Sequence, residues 1–147
     1  MNPKTLNILL ADDDIDDRDF FKKALIELPI ATKLSTVIDG VELMKLLTSD
    51  RFELPDILFL DINMPQKNGM ECLFEIRQNE KLKDLPVVMF STSNAWETIN
   101  TLFKTGVNIY IHKPSDFKQL KQVIFHAIPI STENGFSKTQ VKYVLNA

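Results

Sequence analysis

At 147 residues the chain has the length of one domain, and we expect no room for a second catalytic or DNA-binding domain. Its 44% hydrophobic and 25% charged residues exclude a disordered or collagen-like chain, and a net charge of -3 argues against a nucleic-acid partner. A lone cysteine, no secretory signal and no apolar run near the ~20 residues that cross a bilayer predict a cytoplasmic protein that does not span membranes.

Five short apolar runs predict five strands, four of which read as buried on both faces because their apolar residues are nearly continuous. These runs are residues 6–11, 34–38, 57–60, 87–90 and 109–111. Between them, apolar residues recur at helical spacing, most clearly in residues 20–28 and 117–128. The alternation favours a doubly wound α/β fold, a parallel (βα)5 sheet with right-handed crossovers and helices on both faces.

The composition shifts after residue 128 toward proline, serine, asparagine and glycine, which indicates a linker. Beyond it, Ser137 and Gln140 have the spacing of a capping box, and Val141, Val144 and Leu145 follow. This pattern predicts a short amphipathic sixth helix within an extension at residues 129–147.

Acidic residues crowd the end of the first predicted strand. Six carboxylates fall within eight positions, namely Asp12, Asp13, Asp14, Asp16, Asp17 and Asp19. We interpret Asp16, Asp17 and Asp19 as solvated residues that complement the dipole of the following helix. Asp12 and Asp13 lie where the strand ends, as Asp61 does after the third strand. Parallel strands bring such ends together, and converging carboxylates with oxygen-only ligands predict a magnesium site.

Two further polar residues fall at strand ends, because Ser91 follows the fourth strand and Lys113-Pro114 follows the fifth. Taken singly, Ser91 is an ordinary loop hydroxyl and Lys113 a solvated loop cation. In a parallel sheet, however, both join the acidic residues beyond the carboxyl ends of the strands, where ligands bind. Magnesium, hydroxyl and ammonium groups together predict a pocket for phosphate.

These landmarks occur in the order and spacing of a known family. Ala11-Asp12-Asp13, Asp61-Ile62-Asn63-Met64-Pro65 with Gly69, Ser91, and Lys113-Pro114 resemble the signature of response-regulator receiver domains. The resemblance covers residues 5–128 and implies a flavodoxin-like five-stranded sheet of order 2-1-3-4-5 in a single-domain regulator of a two-component phosphorelay. The loop at residues 47–55 and the extension after residue 128 are similar to regulators paired with bacterial phytochromes.

The resemblance assigns roles to the site residues. It implies that Asp61 accepts a phosphoryl group from a sensor histidine kinase or a phosphotransfer protein, assisted by Lys113 and Ser91. It also implies Mg2+ held by Asp13, Asp61 and the backbone carbonyl of Asn63, with Asp12 assisting through water. The chain would then be a phosphoacceptor switch that assists its own phosphorylation and dephosphorylation, not an enzyme.

The same resemblance implies how the switch is read. Ser91 and Tyr110 are the expected switch residues, with Tyr110 rotating between exposed and buried positions. Thr92 is bulkier than the alanine or glycine of many receivers and is expected to slow attack by water, and Pro114 is a second modulating residue. We expect an output surface on helix 4, strand 5 and helix 5, which a homodimer or another partner would use.

Two alternative functions stay open from the sequence. A haloacid-dehalogenase-like phosphatase also uses an aspartate after a strand with magnesium, but Asn63 stands where that chemistry needs an acid. A phosphorylation-independent interaction domain would keep the fold without the switch, which the intact set Asp13, Asp61, Ser91 and Lys113 disfavours. A nucleotide-binding domain is disfavoured because no glycine-rich phosphate loop follows any strand.

Overall fold

Six strands and five helices alternate along the residues that the computed structural model describes, which are 5–92, 95–107, 109–132 and 143–145. The strands are β1 (Leu6–Ala11), β2 (Thr32–Val37), β3 (Ile57–Asp61), β4 (Val87–Ser91), β5 (Ile109–His112) and β6 (Tyr143–Leu145). The helices are α1 (Ile15–Ile26), α2 (Gly40–Leu47), α3 (Gly69–Gln78), α4 (Trp96–Thr105) and α5 (Phe117–Thr132). The strand order is β2-β1-β3-β4-β5-β6 and every neighbouring pair is parallel. The predicted (βα)5 fold of order 2-1-3-4-5 is therefore confirmed.

Helices cover both faces of the sheet, which buries the central strands completely. Helices α1 and α5 pack on one face, where Phe21 and Ile124 contact a core that includes Phe59 of β3. Helices α2, α3 and α4 pack on the other face, where Leu43 and Leu73 are fully buried. Strands β3 and β4 are buried at every position, which explains why their sequences are continuously apolar.

Polar side chains fix where three of the helices begin. Asp14 caps α1 by accepting from the backbone N–H of Asp17, and Asp39 caps α2 in the same way. Asn68 forms a reciprocal capping box with Glu71 at the start of α3. Each of these caps ends a loop that follows a strand, so the loops that carry the acidic residues have defined conformations.

The edge strand β2 begins two residues earlier than predicted. It covers Thr32–Val37, whereas the apolar run suggested residues 34–38. Only Val37 of this strand is fully buried, because one edge of β2 has no neighbouring strand among the described residues. Backbone pairing with β1 from Leu6 onward, not hydrophobicity, sets where it starts.

The predictions for the chain after residue 128 are wrong in two respects. Helix α5 continues through Pro129 to Thr132, because buried Ser131 extends the helical repeat of Ala127 by one turn. Tyr143–Leu145 form strand β6 on the free edge of β5, not a helix. Aromatic and β-branched residues suit a strand, and the unpaired edge of β5 supplies backbone partners. The proposed capping residues Ser137 and Gln140 lie outside the described residues.

Candidate phosphoacceptor site

The carboxyl ends of β1 and β3 bring three carboxylates together. Ala11 is the register partner of Leu60, so Asp12 and Asp61 follow at neighbouring positions of the same sheet edge. Carboxylate oxygens of Asp12, Asp13 and Asp61 all lie within 4.8 Å of one another. Asp12 and Asp61 are buried whereas Asp13 is exposed, so the cluster opens to solvent on the Asp13 side.

Lys113, in the loop after β5, donates hydrogen bonds to three carboxylates at once. Its Nζ lies 2.8 Å from Oδ2 of Asp12, 2.9 Å from Oδ2 of Asp17 and 3.1 Å from Oδ2 of Asp61. The lysine side chain is only 10% exposed. Removing all three carboxylates would be costly, because it would leave a charge with little water to solvate it.

Asp17 belongs to this lysine cluster, so its interpretation as a solvated surface residue is wrong. Asp16 and Asp19 are exposed as predicted, but Asp17 is only partly exposed. The sequence does contain the signal. Asp17 precedes Phe21 by four positions and Ala24 by seven, and both of those residues are buried. Asp17 therefore lies on the buried face of α1, which turns its carboxylate toward the sheet edge.

The environment of Asp61 favours its protonated form more than water does. Burial raises the pKa of Asp61 to about 6, and the charge of Lys113 offsets part of that rise while Asp12 adds to it. Burial alone would lower the pKa of Lys113, but its hydrogen bond to Asp12 and the charges of Asp61 and Asp12 raise it. At neutral pH the site therefore holds an ionised Asp61 beside a permanently charged lysine.

Backbone groups orient the acidic side chains. The N–H of Asp14 donates to Oδ1 of Asp12 at 3.0 Å, and the N–H of Asn63 donates to Oδ1 of Asp61 at 3.2 Å. Arg18, which the sequence did not single out, donates from Nη1 to the backbone carbonyl of Asp12 at 2.8 Å. These bonds leave each buried carboxylate with one oxygen on the backbone and the other on Lys113.

Gly69 lets helix α3 begin directly against the end of β3. Its N–H donates to the carbonyl of Ile62 at 2.8 Å. A Cβ at this position would lie 2.2 Å from the carbonyl oxygen of Asp61, which no side chain tolerates. The glycine of the motif is thus required for close approach between α3 and the backbone that carries Asp61.

Ser91 and Tyr110 form a buried pair on β4 and β5, next to the strand that ends in Asp61. Ser91 is 0% exposed and Tyr110 is 1% exposed. Burial raises the pKa of Tyr110, and a side-chain hydrogen bond with Ser91 partly offsets this rise. The backbone N–H of Lys113 donates to the carbonyl of Ser91 at 2.8 Å, so the ends of β4 and β5 are linked at the site. Tyr110 occupies the buried one of its two expected positions.

Thr92 and Pro114, the two residues expected to modulate the site, lie beside Lys113. Thr92 is exposed, and its backbone carbonyl lies 3.1 Å from Nε2 of His112, which therefore carries the proton. Thr92 and Pro114 line a cavity of about 200 Å³ together with Asp17, Phe90 and Lys113. Their expected effect on the attack of water stays a prediction.

The donor set at the sheet edge fits a hard divalent cation. Asp12, Asp13 and Asp61 offer only oxygen, and with Asp17 they outnumber the single ammonium of Lys113. The exposed Asp13 leaves room for the waters that magnesium retains. The Asn63 carbonyl is a further predicted ligand on the same loop.

The parallel sheet, the acidic cluster after β1 and β3, and the lysine after β5 together define a receiver domain. A model of the response regulator receiver domain family matches residues 8–125, so the chain belongs to this family. Members of the family are response regulators of two-component systems, which interact with histidine kinases or phosphotransfer proteins.

Individual relatives cover most of this chain. The response regulator Rcp1 of Synechocystis sp. is 31% identical over 127 residues, which cover 84% of this chain and 86% of Rcp1. A chemotaxis protein CheY homolog of Campylobacter jejuni is 34% identical over 130 residues, which cover 88% of this chain and 98% of the homolog. The expected similarity to phytochrome-associated regulators is confirmed. The phosphorylated cyanobacterial phytochrome response regulator RcpA aligns with a TM-score of 0.79 at 32% identity, over 86% of this chain and 94% of RcpA.

Metal binding is seen in one of these relatives. A crystal structure of Rcp1 in its Mn2+-bound form aligns with a TM-score of 0.78 at 29% identity, over 88% of this chain and 96% of Rcp1. The acidic cluster of this chain can likewise hold a divalent ion.

None of the helices within the described residues combines the length and the hydropathy that a bilayer crossing requires.

Proposed function

We propose that Asp61 is the phosphoacceptor of a response-regulator switch and that it takes a phosphoryl group from a phosphohistidine of a sensor kinase or phosphotransfer protein. The observation that carries this proposal is the position of the Asp61 carboxylate, between the Lys113 ammonium at 3.1 Å and the acidic residues Asp12 and Asp13. This arrangement supplies a nucleophile, a cation for the phosphoryl charge and a metal-binding edge in one place.

The transfer step needs no general base. With a pKa of about 6, Asp61 is mostly ionised at neutral pH, so a carboxylate oxygen attacks the phosphorus directly. The new O–P bond forms as the P–N bond to the donor imidazole breaks, and the imidazole leaves with the electron pair. Lys113 follows the negative charge from the carboxylate to a phosphoryl oxygen, for which a compact ammonium is suited.

Asp13, Asp61 and the backbone carbonyl of Asn63 are the proposed ligands of Mg2+, with Asp12 acting through a water molecule. When bound, the ion aligns the phosphoryl group and spreads its developing charge. The protein holds this geometry through the backbone N–H groups that orient Asp12 and Asp61. Among the described residues, no backbone N–H donates to the Asp13 carboxylate. Its side chain is exposed and can therefore coordinate the ion.

Ser91 detects phosphorylation of Asp61 in this proposal, because it forms a hydrogen bond with the phosphoryl group. Its buried hydroxyl donates to a phosphoryl oxygen, which draws the loop after β4 inward and changes the space around Tyr110. Tyr110 and Ser91 are already linked by a side-chain hydrogen bond, so a movement of one alters the other. Thr92 and Pro114 border the approach to the phosphoryl group, where we expect them to set how quickly water removes it.

The chain acts as a phosphoacceptor switch that assists its own modification, not as an enzyme with a separate substrate. We place it in the cytoplasm, with a sensor kinase or phosphotransfer protein as donor and no nucleic acid or membrane as partner. Phosphorylation changes the surface of α4, β5 and α5, through which a second copy or a downstream protein binds. Family membership favours this function over the haloacid-dehalogenase-like phosphatase. The convergence of Asp13, Asp61 and Lys113 at one site favours it over a phosphorylation-independent interaction domain.

Intact-mass spectrometry tests this function. With acetyl phosphate and Mg2+, we expect the wild-type protein to gain the mass of one phosphoryl group and the Asp61→Asn variant to gain none. Asp16→Asn is the matched control, because Asp16 is an exposed aspartate of the same acidic segment. Full phosphorylation of Asp61→Asn would remove Asp61 from the mechanism.

A further inference from the structure

We infer that Asp17 is a positioning residue for the phosphoryl transfer proposed above: it anchors the Lys113 ammonium beside Asp12 and thereby limits how far that ammonium neutralises Asp61. The inference rests on the proposed role of Asp61. It assigns to Asp17 no direct contact with the metal or the phosphoryl group, and its action runs entirely through Lys113.

The geometry of the ammonium carries this inference. A lysine has three N–H donors, and the three carboxylates of Asp12, Asp17 and Asp61 accept from Lys113. The distances to Asp12 and Asp17 are 2.8 Å and 2.9 Å, whereas the distance to Asp61 is 3.1 Å. Asp61 therefore has the longest of the three contacts, and Asp12 and Asp17 are the two closer acceptors.

Asp17 is well placed to act as a fixed anchor. The Asp14 cap accepts from its backbone N–H at 3.0 Å, so the position of Asp17 is set by the first turn of α1 and not by a loop. Its side chain is 47% exposed while that of Lys113 is 10% exposed. The carboxylate reaches in from the solvent edge and holds a lysine that is otherwise enclosed.

Loss of this anchor has a specific consequence for Asp61. When Asp17 loses its charge, as in Asp17→Asn, the largely buried ammonium keeps only a neutral acceptor on that side and moves toward Asp12 and Asp61, the two remaining carboxylates. A tighter Lys113–Asp61 pair competes with a divalent cation for the same carboxylate. Asp17 thus keeps the Asp61 carboxylate available to a divalent cation, because it holds the Lys113 ammonium away from Asp61.

Magnesium affinity is the measurement that separates this role from general electrostatics. We expect Asp17→Asn to weaken Mg2+ binding about fivefold in calorimetric titration, the size of coupling typical of contacting charged residues. Asp16→Asn removes the same charge one residue away without touching Lys113, and we expect it to change the affinity by less than about twofold. Asp17→Glu, which keeps a carboxylate within reach, should restore most of the affinity.

A double-mutant cycle tests whether the effect runs through Lys113. In a Lys113→Met background, Asp17→Asn should change Mg2+ affinity no more than Asp16→Asn does, because the residue that Asp17 positions is gone. An equal loss from Asp17→Asn in both backgrounds would overturn the inference, as would equal losses from Asp17→Asn and Asp16→Asn in the wild-type background.

The same variants keep this inference distinct from the proposed function. If acetyl phosphate modifies the wild-type protein at Asp61 while the Asp17 variants bind Mg2+ like the wild type, only the role of Asp17 is overturned. If the wild-type protein is not modified at Asp61, the proposed function fails and the inference fails with it, whatever the magnesium cycle shows about the ion pair.

Discussion

Burial of the ionised Asp61 carboxylate should destabilise the folded protein when no metal ion is bound. Its pKa is raised from 3.8 to about 6, chiefly by burial, so folding favours the protonated carboxyl. The stability that this group contributes is therefore fully present below its unfolded pKa and is lost as the pH rises through about 6. We expect Asp61→Asn to be more stable than the wild type at about pH 7.5 without divalent cations, by an amount on the order of 2 kcal/mol.

Urea denaturation with a chelator present measures this difference. It should shrink to near zero at about pH 4, where the wild-type carboxyl is protonated in the folded protein. Lys113 keeps Asp12 and Asp17 as partners in the variant, so the substitution does not strand its charge. A variant less stable than the wild type at the higher pH would show that the ion pair with Lys113 outweighs the burial of Asp61.

The acidic residues near α1 should differ sharply in their effect on metal binding. We expect Asp13→Asn to weaken Mg2+ affinity about tenfold or more, because it removes a carboxylate from the converging set. Asp16→Asn lies on the solvated side of α1 and should have less than about a twofold effect. Competition with Mn2+, followed by electron paramagnetic resonance, reports both values. Equal effects would mean that the cluster attracts cations only by its total charge.

At the scale of elements, the start of α3 should be intolerant of any side chain. Gly69→Ala places a Cβ against the carbonyl oxygen of Asp61, where there is no space. We expect the free energy of unfolding to fall by about 2 kcal/mol or more, since the backbone of β3 or α3 must shift. Gln78→Ala, at the exposed end of the same helix, should change it by less than about 0.5 kcal/mol. Comparable urea midpoints for the two variants would contradict this close approach.

Element prediction from the sequence succeeded where burial decides the structure. The central strands β3 and β4 are buried on both faces, so their apolar runs identified them directly. The edge strand β2 and the tail strand β6 depend on backbone pairing with β1 and β5, which a sequence pattern does not record. The residues of β6 also fitted a helical repeat, and the unpaired edge of β5 decides between the two structures.

Across the whole molecule, we expect phosphorylation to change the structure most in α4, β5 and α5. Ser91 and Lys113 lie at the ends of β4 and β5 and are joined by a backbone hydrogen bond of 2.8 Å, so a shift of either moves both ends. A few kcal/mol of differential contact is enough to shift such a two-state equilibrium. We expect hydrogen exchange with beryllofluoride and Mg2+ to change protection in these three elements.

Helix α2 provides the internal control for that experiment, because it follows β2, which lies on the other side of β1 and β3 from β4 and β5, and packs against α3. Asp61→Asn protein, treated in the same way, should show none of the changes. Protection changes confined to α1 and α2, with none in α4, β5 or α5, would contradict the proposed route from the site to the surface.

The site as a whole was predictable because each of its residues follows a strand, and strand ends meet at one edge of a parallel sheet. That reasoning located Asp12, Asp13, Asp61 and Lys113 at one edge although Lys113 lies 52 positions from Asp61. It could not show which acids the lysine prefers, because that depends on how α1 is rotated against the sheet. Asp17 was misassigned for this reason, and Arg18 was missed because it acts on a backbone carbonyl.

The central claim is that the phosphoryl group resides on Asp61, and reductive trapping locates it most directly. Borohydride reduces an aspartyl phosphate to homoserine, so peptide mass spectrometry after treatment with acetyl phosphate and Mg2+ identifies the modified position. The account predicts homoserine at position 61 in the wild-type protein and at no position when Mg2+ is chelated. Homoserine at position 12, 13 or 17, with position 61 unchanged, would contradict it.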